Sequence, residues 1–297
     1  MIIHILAVEK ISQMKIGDYT ILPVQTGLFK LDGGAMFGVV PKNLWQKSNP
    51  SDEQNRIDMC TRALLLISDK KKILVDTGIG YKLAEKLNSI YAVDFSEYTL
   101  EKGLSVYGLS KSDITDVILT HLHFDHAGGN TIFDENKNAV PAFPNAVYHV
   151  QKEQYEWALN PTDRDRASFF PENYKPLETA GRLAFTEGEH EFDEFITLLP
   201  VNGHTSHMQL VKLTDGEETL LYLADLVPTA GHIPAPFIMG YDLYPLTTLD
   251  EKKKYLKLIA DNKWTVVFEH DPYNECAKIA FDGKNYSAVE RFNLNDR

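Results

Sequence analysis

One segment concentrates the residues able to do metal chemistry: His121-Leu-His123-Phe-Asp125-His126-Ala-Gly-Gly. Imidazole nitrogens suit Zn, Fe, Ni and Cu, and a carboxylate adds a harder oxygen ligand, so a cluster holding both is what a hydrolytic metal centre requires. In an extended segment His121 and His123 point the same way, because side chains alternate with a period of two. Asp125 and His126 stand where the loop turns into the next element, so they are aimed differently. One short loop thus serves two metals, and Gly128 and Gly129 let backbone pack close behind it. The plain alternative, three histidines satisfied near a strand end, fits poorly with the intervening Asp. Further candidates follow apolar runs: His204 in Asn-Gly-His-Thr-Ser, Asp225 in Leu-Tyr-Leu-Ala-Asp-Leu, and His270 in Val-Val-Phe-Glu-His-Asp-Pro. Each alone is a weak signal; together and in order they are a strong one.

These residues need strands that end at one place. Arg62 to Ser68 and Ile73 to Asp76 read as a strand pair joined at the Lys-rich turn, and the second ends in Asp76-Thr-Gly. Asp116 to Thr120 is a short apolar strand running into His121. Met208 to Leu213 and Leu220 to Ala224 flank Asp215-Gly216, a hairpin signal. Thr248 to Ala260 predicts a helix with Thr248 as N-cap and Leu249, Leu256 and Ile259 inward, followed by a buried strand from Trp264 to Phe268. Strand pairs followed by strand-to-helix units, twice over, predict two β-rich halves covered by helices. Two segments do not read as regular core. Gly27 to Lys47 suggests backbone bending around something apolar on the substrate side. Gln151 to Gly181 begins with a helix, Glu153 to Leu159, and continues as a loop rich in Arg, Asp, Phe and Tyr, the pattern of a lid or binding insertion.

Composition narrows the function. The 297 residues carry 30 Lys+Arg against 42 Asp+Glu, a formal charge of −12, which argues against a nucleic-acid or anionic-membrane surface. No run of about 18 apolar residues exists to span a bilayer. The N-terminus has neither a basic n-region nor a small-residue cleavage site, and two cysteines, Cys60 and Cys276, make no disulfide framework. A cytoplasmic enzyme is the expectation. Without repeats or linkers, residues 1–297 read as one domain, with insertions at 151–181 and 27–47.

From Ile21 to Phe281 the chain resembles the metallo-β-lactamase-fold hydrolases. The resemblance implies a four-layer αββα sandwich of α+β class, two mixed β-sheets flanked by helices. It implies one metal on His121, His123 and His204, a second on Asp125, His126 and His270, and Asp225 bridging both. Asp rather than Cys at the bridging position sets the chain apart from true β-lactamases, and His123 sets it apart from flavo-diiron oxidoreductases. Asp32-Gly-Gly-Ala-Met-Phe-Gly, Phe143-Pro-Asn-Ala, Ala224-Asp-Leu-Val-Pro-Thr, Tyr241-Asp-Leu-Tyr-Pro and Glu269-His-Asp-Pro are similar to blocks of the YtnP-like quorum-quenching lactonases, with methyl parathion hydrolase a neighbouring relative. The implied cofactor is a pair of divalent ions, zinc first, with Mn, Fe or Co as alternatives. The implied partner is a small-molecule lactone or ester, such as an N-acyl-homoserine lactone, and related lactonases are often homodimers.

Two divalent ions lower the pKa of water toward neutrality, giving hydroxide to attack a carbonyl. Asp125 or Asp225 would manage the proton, and Tyr241 or Tyr244 would donate to the developing oxyanion. Asp76 matches the superfamily's early Asp, which orients neighbouring groups. His207 adds nothing to a complete set, and His4, His149, His190 and His232 are expected to be ordinary histidines, although His232 follows the Asp225 loop toward the pocket border. Cys60 and Cys276 are expected to be structural thiols. Met36, Phe37, Phe169, Phe170, Phe237, Ile238 and Met239 supply either a pocket for an acyl chain or ordinary core. Phosphotriester or thioester hydrolysis is the same-fold alternative; a diiron redox protein and a silent binding scaffold are the others.

Overall fold

The computed structural model describes residues 13–296, so His4 lies outside the described residues. Two seven-stranded sheets organise the chain. In the first, Tyr19–Asp32, Arg56–Ile67 and Lys72–Val75 pair antiparallel, and Lys72–Val75, Asp116–Ile118, Val147–Gln151 and Leu183–Thr186 continue parallel. In the second, Ile196–Val201, Met208–Thr214 and Thr219–Tyr222 are antiparallel, and Thr219–Tyr222 joins Thr265–Val267 in parallel across the helix Pro245–Asn262. Both sheets are therefore mixed, as expected.

Strand periodicity sorts the core. Leu64 and Leu66 join Ile21, Ile73 and Val75 against Leu198, Leu210 and Tyr222 of the other sheet. Their alternating neighbours Ala63 and Leu65 face outward, with Leu22 and Val24, onto Leu104, Tyr155 and Leu177. Each side chain of the first sheet thus has an apolar partner on one face or the other, which is why Arg56–Ile67 is apolar almost throughout instead of alternating.

Two expectations are corrected. Gly27 to Asp32 is not a loop: it is the second half of Tyr19–Asp32, paired with Arg56 to Thr61 after a register shift between Gln25 and Gly27. The bulge absorbs one residue and hides the strand's periodicity. Only beyond Asp32 does the chain bend, into Gly33–Phe37, with the Asp32 carboxylate accepting from the Ala35 N–H. There Gly33 packs against the buried Trp45 ring, which stacks at 5.3 Å on Phe37. Second, the helix begins at Pro245, with Tyr244 as N-cap, so Thr248 lies in its first turn. Proline at the start is preorganised for helical φ and lacks the N–H that would go unpaired there. The buried Thr248 backs directly onto Gly203, whose missing side chain makes that approach possible.

The segment after Gln151 forms Lys152–Leu159, short turns at Arg166–Ser168 and Pro171–Asn173, and Lys175–Thr179. Tyr155, Tyr174 and Leu177 from it are buried in the core, so much of the insertion is packed structure. Among the described residues no helix is long and apolar enough to cross a membrane.

Candidate metal centre and substrate cavity

The parallel pairs align the loops that matter. Val75 lies beside Ile118 and Tyr222 beside Val267, so Asp76 and His121 leave one sheet, and Asp225 and His270 the other, at a common end. The turn after His126 packs so tightly that a side chain on Gly128 would overlap the Ile79 carbonyl, and one on Gly129 the Thr77 carbonyl. Asp76 and Ala224 both adopt positive φ, 58° and 43°, a left-handed conformation held against its cost at the two points where the chain swings into the site.

Two groups of donors converge, both buried: His121, His123, His204 and Asp225, then Asp125, His126 and His270. In the first, His123 Nδ1 is 3.0 Å from His121 Nε2 and 3.1 Å from His204 Nε2. In the second, His126 Nε2 and His270 Nε2 are 3.0 Å apart, with Asp125 Oδ2 3.7 Å from the latter. Asp225 reaches both, Oδ2 at 3.1 Å from His204 Nε2 and Oδ1 at 3.2 Å from His270 Nε2.

Hydrogen bonds behind the rings decide which nitrogens face inward. The Thr120 hydroxyl donates to Asp76 Oδ2, which leaves its oxygen to accept from His121 Nδ1–H. His204 Nδ1–H donates to Asp242 and His270 Nδ1–H to the Cys60 carbonyl. His126 Nδ1 has two carboxylates, Asp76 at 3.1 Å and Glu269 at 3.0 Å. With the outer nitrogens as donors, the inner ones present lone pairs to each other at about 3 Å, a repulsive arrangement that a shared cation relieves. Asp225 Oδ1 is likewise buried without a hydrogen-bond partner. The donor set therefore fits divalent metal, with the outer carboxylates and carbonyls fixing tautomer and orientation.

Electrostatics agree. Burial, then the neighbouring imidazoles, hold His121 and His123 well below the usual histidine range, in the neutral form a ligand needs. Burial opposes charge on His204 too, but Asp225 and Asp242 outweigh it and push it up to about 10. Metal ions bound in this cage would displace protons from it.

The site floors a cavity of about 260 Å³. His123, Asp125, His204, Asp225 and His270 face it; Leu31, Met36, Met59, Phe124 and Met239 form its apolar wall; Tyr91, Tyr241, Arg164 and Ser168 border it. Of the apolar residues singled out from sequence, Met36 and Met239 line the cavity, while Phe37 is core, stacked at 4.2 Å on His232. His232 sits behind the wall, its ring bonded to the Met36 carbonyl and pushed down to about 3 by burial. Phe169 packs edge-on against the His123 ring at 4.7 Å. Tyr241 lines the cavity, whereas Tyr244 lies outside its lining and is half exposed. Asp76 stands against His126, and His207 bonds its neighbour Ser206 outside both donor groups. His149 pairs with Asp116, and Cys60 and Cys276 are both buried and form no disulfide with each other.

Sequence reasoning missed Asp242 and Glu269 as partners of His204 and His126, although both sit inside motif blocks, and it missed Tyr91, Met59 and Arg164 at the cavity. It also missed Arg62, which is buried and donates to the Phe268 carbonyl at 2.5 Å and the Asp271 carbonyl at 3.0 Å, straddling the turn that carries His270.

Comparison with known proteins matches residues 61–270 to the metallo-beta-lactamase superfamily model. The N-acyl homoserine lactonase AiiA of Bacillus thuringiensis subsp. kurstaki is 28% identical over 220 residues, covering 70% of this chain and 79% of its own. The N-acyl homoserine lactonase AiiB of Agrobacterium fabrum is 26% identical over 273 residues, covering 82% and 93%. Among solved structures, a probable metal-dependent hydrolase from Staphylococcus aureus superposes with a TM-score of 0.84 at 30% identity, covering 94% of this chain and all of the other. AidC, a dizinc quorum-quenching lactonase, superposes at 0.77 with 24% identity, covering 94% and 96%, and shares the fold.

Proposed function

We propose that this chain, which belongs to the metallo-beta-lactamase superfamily, is a dinuclear hydrolase that opens lactones or esters. N-acyl-homoserine lactones are the first substrates to try. The observation that carries the reading is the carboxylate of Asp225, one oxygen 3.1 Å from His204 Nε2 and the other 3.2 Å from His270 Nε2, at the floor of a half-apolar cavity. A pair of divalent ions there, zinc foremost, would be held by His121, His123 and His204 on one side and Asp125, His126 and His270 on the other. When bound, the pair supplies Lewis acidity toward a carbonyl oxygen and acidifies water.

The chain's own residues do the rest. The apolar wall of Leu31, Met36, Met59 and Met239 takes the acyl arm and excludes water from the scissile bond. A tyrosine hydroxyl is protonated near neutral pH, so Tyr241, on the cavity lining, donates a hydrogen bond to the carbonyl oxygen as charge develops there. Tyr244 lies outside the cavity lining, at the N-cap position of the following helix, and has no part in the step. Asp125 borders the cavity and is placed to pass a proton to the leaving alcohol. Residues 1–297 act as one domain, with the 151–181 insertion closing one side of the cavity, and two buried cysteines that form no disulfide accord with a reducing cytoplasm.

The test is a metal-analysed preparation assayed against matched lactones, esters, thioesters and phosphotriesters. Two divalent ions per chain and a lactone at the top of the kcat/KM ranking are expected. A preparation active without metal, or a phosphotriester ranked first, overturns the reading.

A further inference from the structure

The cavity border holds one cation that hydrolysis does not use. Arg164 comes from the 151–181 insertion and reaches across to the opposite loop, where Nη2–H donates to the Gly240 carbonyl and, at 3.5 Å, to the Asp242 carbonyl. Its Nε–H and Nη1–H groups have no partner among the described residues, and no carboxylate there lies within ion-pair distance of it. The adjacent Asp165 lines the same cavity but makes no ion pair with it: its two oxygens are turned to Trp157 Nε1–H at 2.7 Å and the Thr162 hydroxyl at 2.6 Å. The guanidinium thus stands as the one Lys or Arg among the described residues of the cavity lining, in a chain whose carboxylates outnumber its cations.

Resting on the lactone reading, we propose that Arg164 is a specificity-determining residue that binds a carboxylate at the far end of the substrate's acyl arm. The arm's methylenes lie against the methionine wall, which adapts to chains of different shape through its flexible thioethers. Its terminal carboxylate accepts from the uncommitted N–H groups, a geometry that the planar, permanently charged guanidinium favours. The bond to Gly240 fixes the side chain between two loops, so little entropy is lost when substrate arrives.

The test compares two lactones with equal acyl arms, N-hexanoyl-homoserine lactone and its analogue ending in a carboxylate, N-adipoyl-homoserine lactone. Arg164→Gln should lower kcat/KM for the carboxylate lactone about 10- to 100-fold, chiefly through KM, and for the methyl lactone less than about 3-fold. Arg164→Lys should recover part of the loss, and high salt should weaken the wild-type preference. Metal content should not change, and Tm should fall by no more than the loss of one exposed hydrogen bond to Gly240 allows. Equal losses on both lactones, or no loss on either, overturn the proposal. Binding of adipamate against hexanamide, measured by calorimetry, separates this inference from its premise. If neither lactone is turned over yet Arg164→Gln still weakens adipamate selectively, the lactone reading fails and the carboxylate site stands; if adipamate binding does not move, the site fails.

Discussion

The ligand cage and the cavity above it share His123, Asp125, His204, Asp225 and His270, yet they are built on opposite principles. In the cage nearly every ring is pinned from behind by Thr120, Asp242, the Cys60 carbonyl, or Asp76 with Glu269. Two strained backbone positions, Asp76 and Ala224, are held in place by the buried surroundings. The cavity is instead walled by three methionines and bordered by exposed residues, Arg164 and Tyr241. Chemistry on a carbonyl needs donors fixed to a fraction of an ångström, whereas recognition of an acyl arm tolerates, and profits from, side chains that repack.

This contrast breaks first in the cage. Asp225→Ala removes the carboxylate common to both donor groups, so metal analysis should find fewer than two ions per chain and kcat/KM should fall by about 10³-fold or more. A variant that kept both ions and full activity would dissolve the distinction between the regions. Asp76→Asn leaves every ligand in place but weakens the hold on His126. Metal affinity, read by chelator competition, should drop about 10- to 100-fold.

Behind the cavity wall, Lys252 tests whether recognition also depends on a fixed support. Its buried Nζ donates to the carbonyls of His232, Pro234 and Phe237, at 2.6, 3.1 and 2.6 Å, and so holds the loop leading to Met239. Lys252→Met should cost about 1–3 kcal/mol through the carbonyls left unpaired, and should raise KM more than it lowers kcat. Burial pushes Lys252 down to about 7, against ~10.4 in the unfolded chain. Between those values the unfolded state binds more protons, so the wild type's stability advantage should grow as pH rises through the interval. Denaturant melts of both proteins at pH 6 and 9 check the sign; a constant gap contradicts it.

The cavity itself should show smaller effects. Tyr241→Phe should lower kcat about 10-fold or less with KM nearly unchanged, while Tyr244→Phe should leave both as they are. Met59→Leu, which conserves volume, should alter kcat/KM less than about 2-fold for any one lactone, yet shift the ranking of acyl lengths.

The strands behind the site were legible because short apolar runs bounded by turn residues mark buried strands: Lys72–Val75, Met208–Thr214 and Thr265–Val267 appear close to where those runs put them. Tyr19–Asp32 escaped because a bulge shifts the alternation midway, and the start of the helix at Pro245 because Thr248, a good cap by type, is buried against Gly203. Ligand types declared themselves through dense His and Asp spacing. The partners that orient them did not, since an isolated Asp242 or Glu269 looks like any acid until the fold sets it against an imidazole.

By itself, then, the sequence determined which residue types stand at strand ends, because spacing and hydrophobic period are local properties that survive without a fold. Only the tertiary structure decided that Arg164 faces the cavity unpaired, that Tyr241 lines it while Tyr244 does not, and that Lys252 braces its wall. Those outcomes depend on contacts between segments about 75 residues apart or more in the case of Arg164, and on which loop reaches which first, and no local pattern encodes such distances.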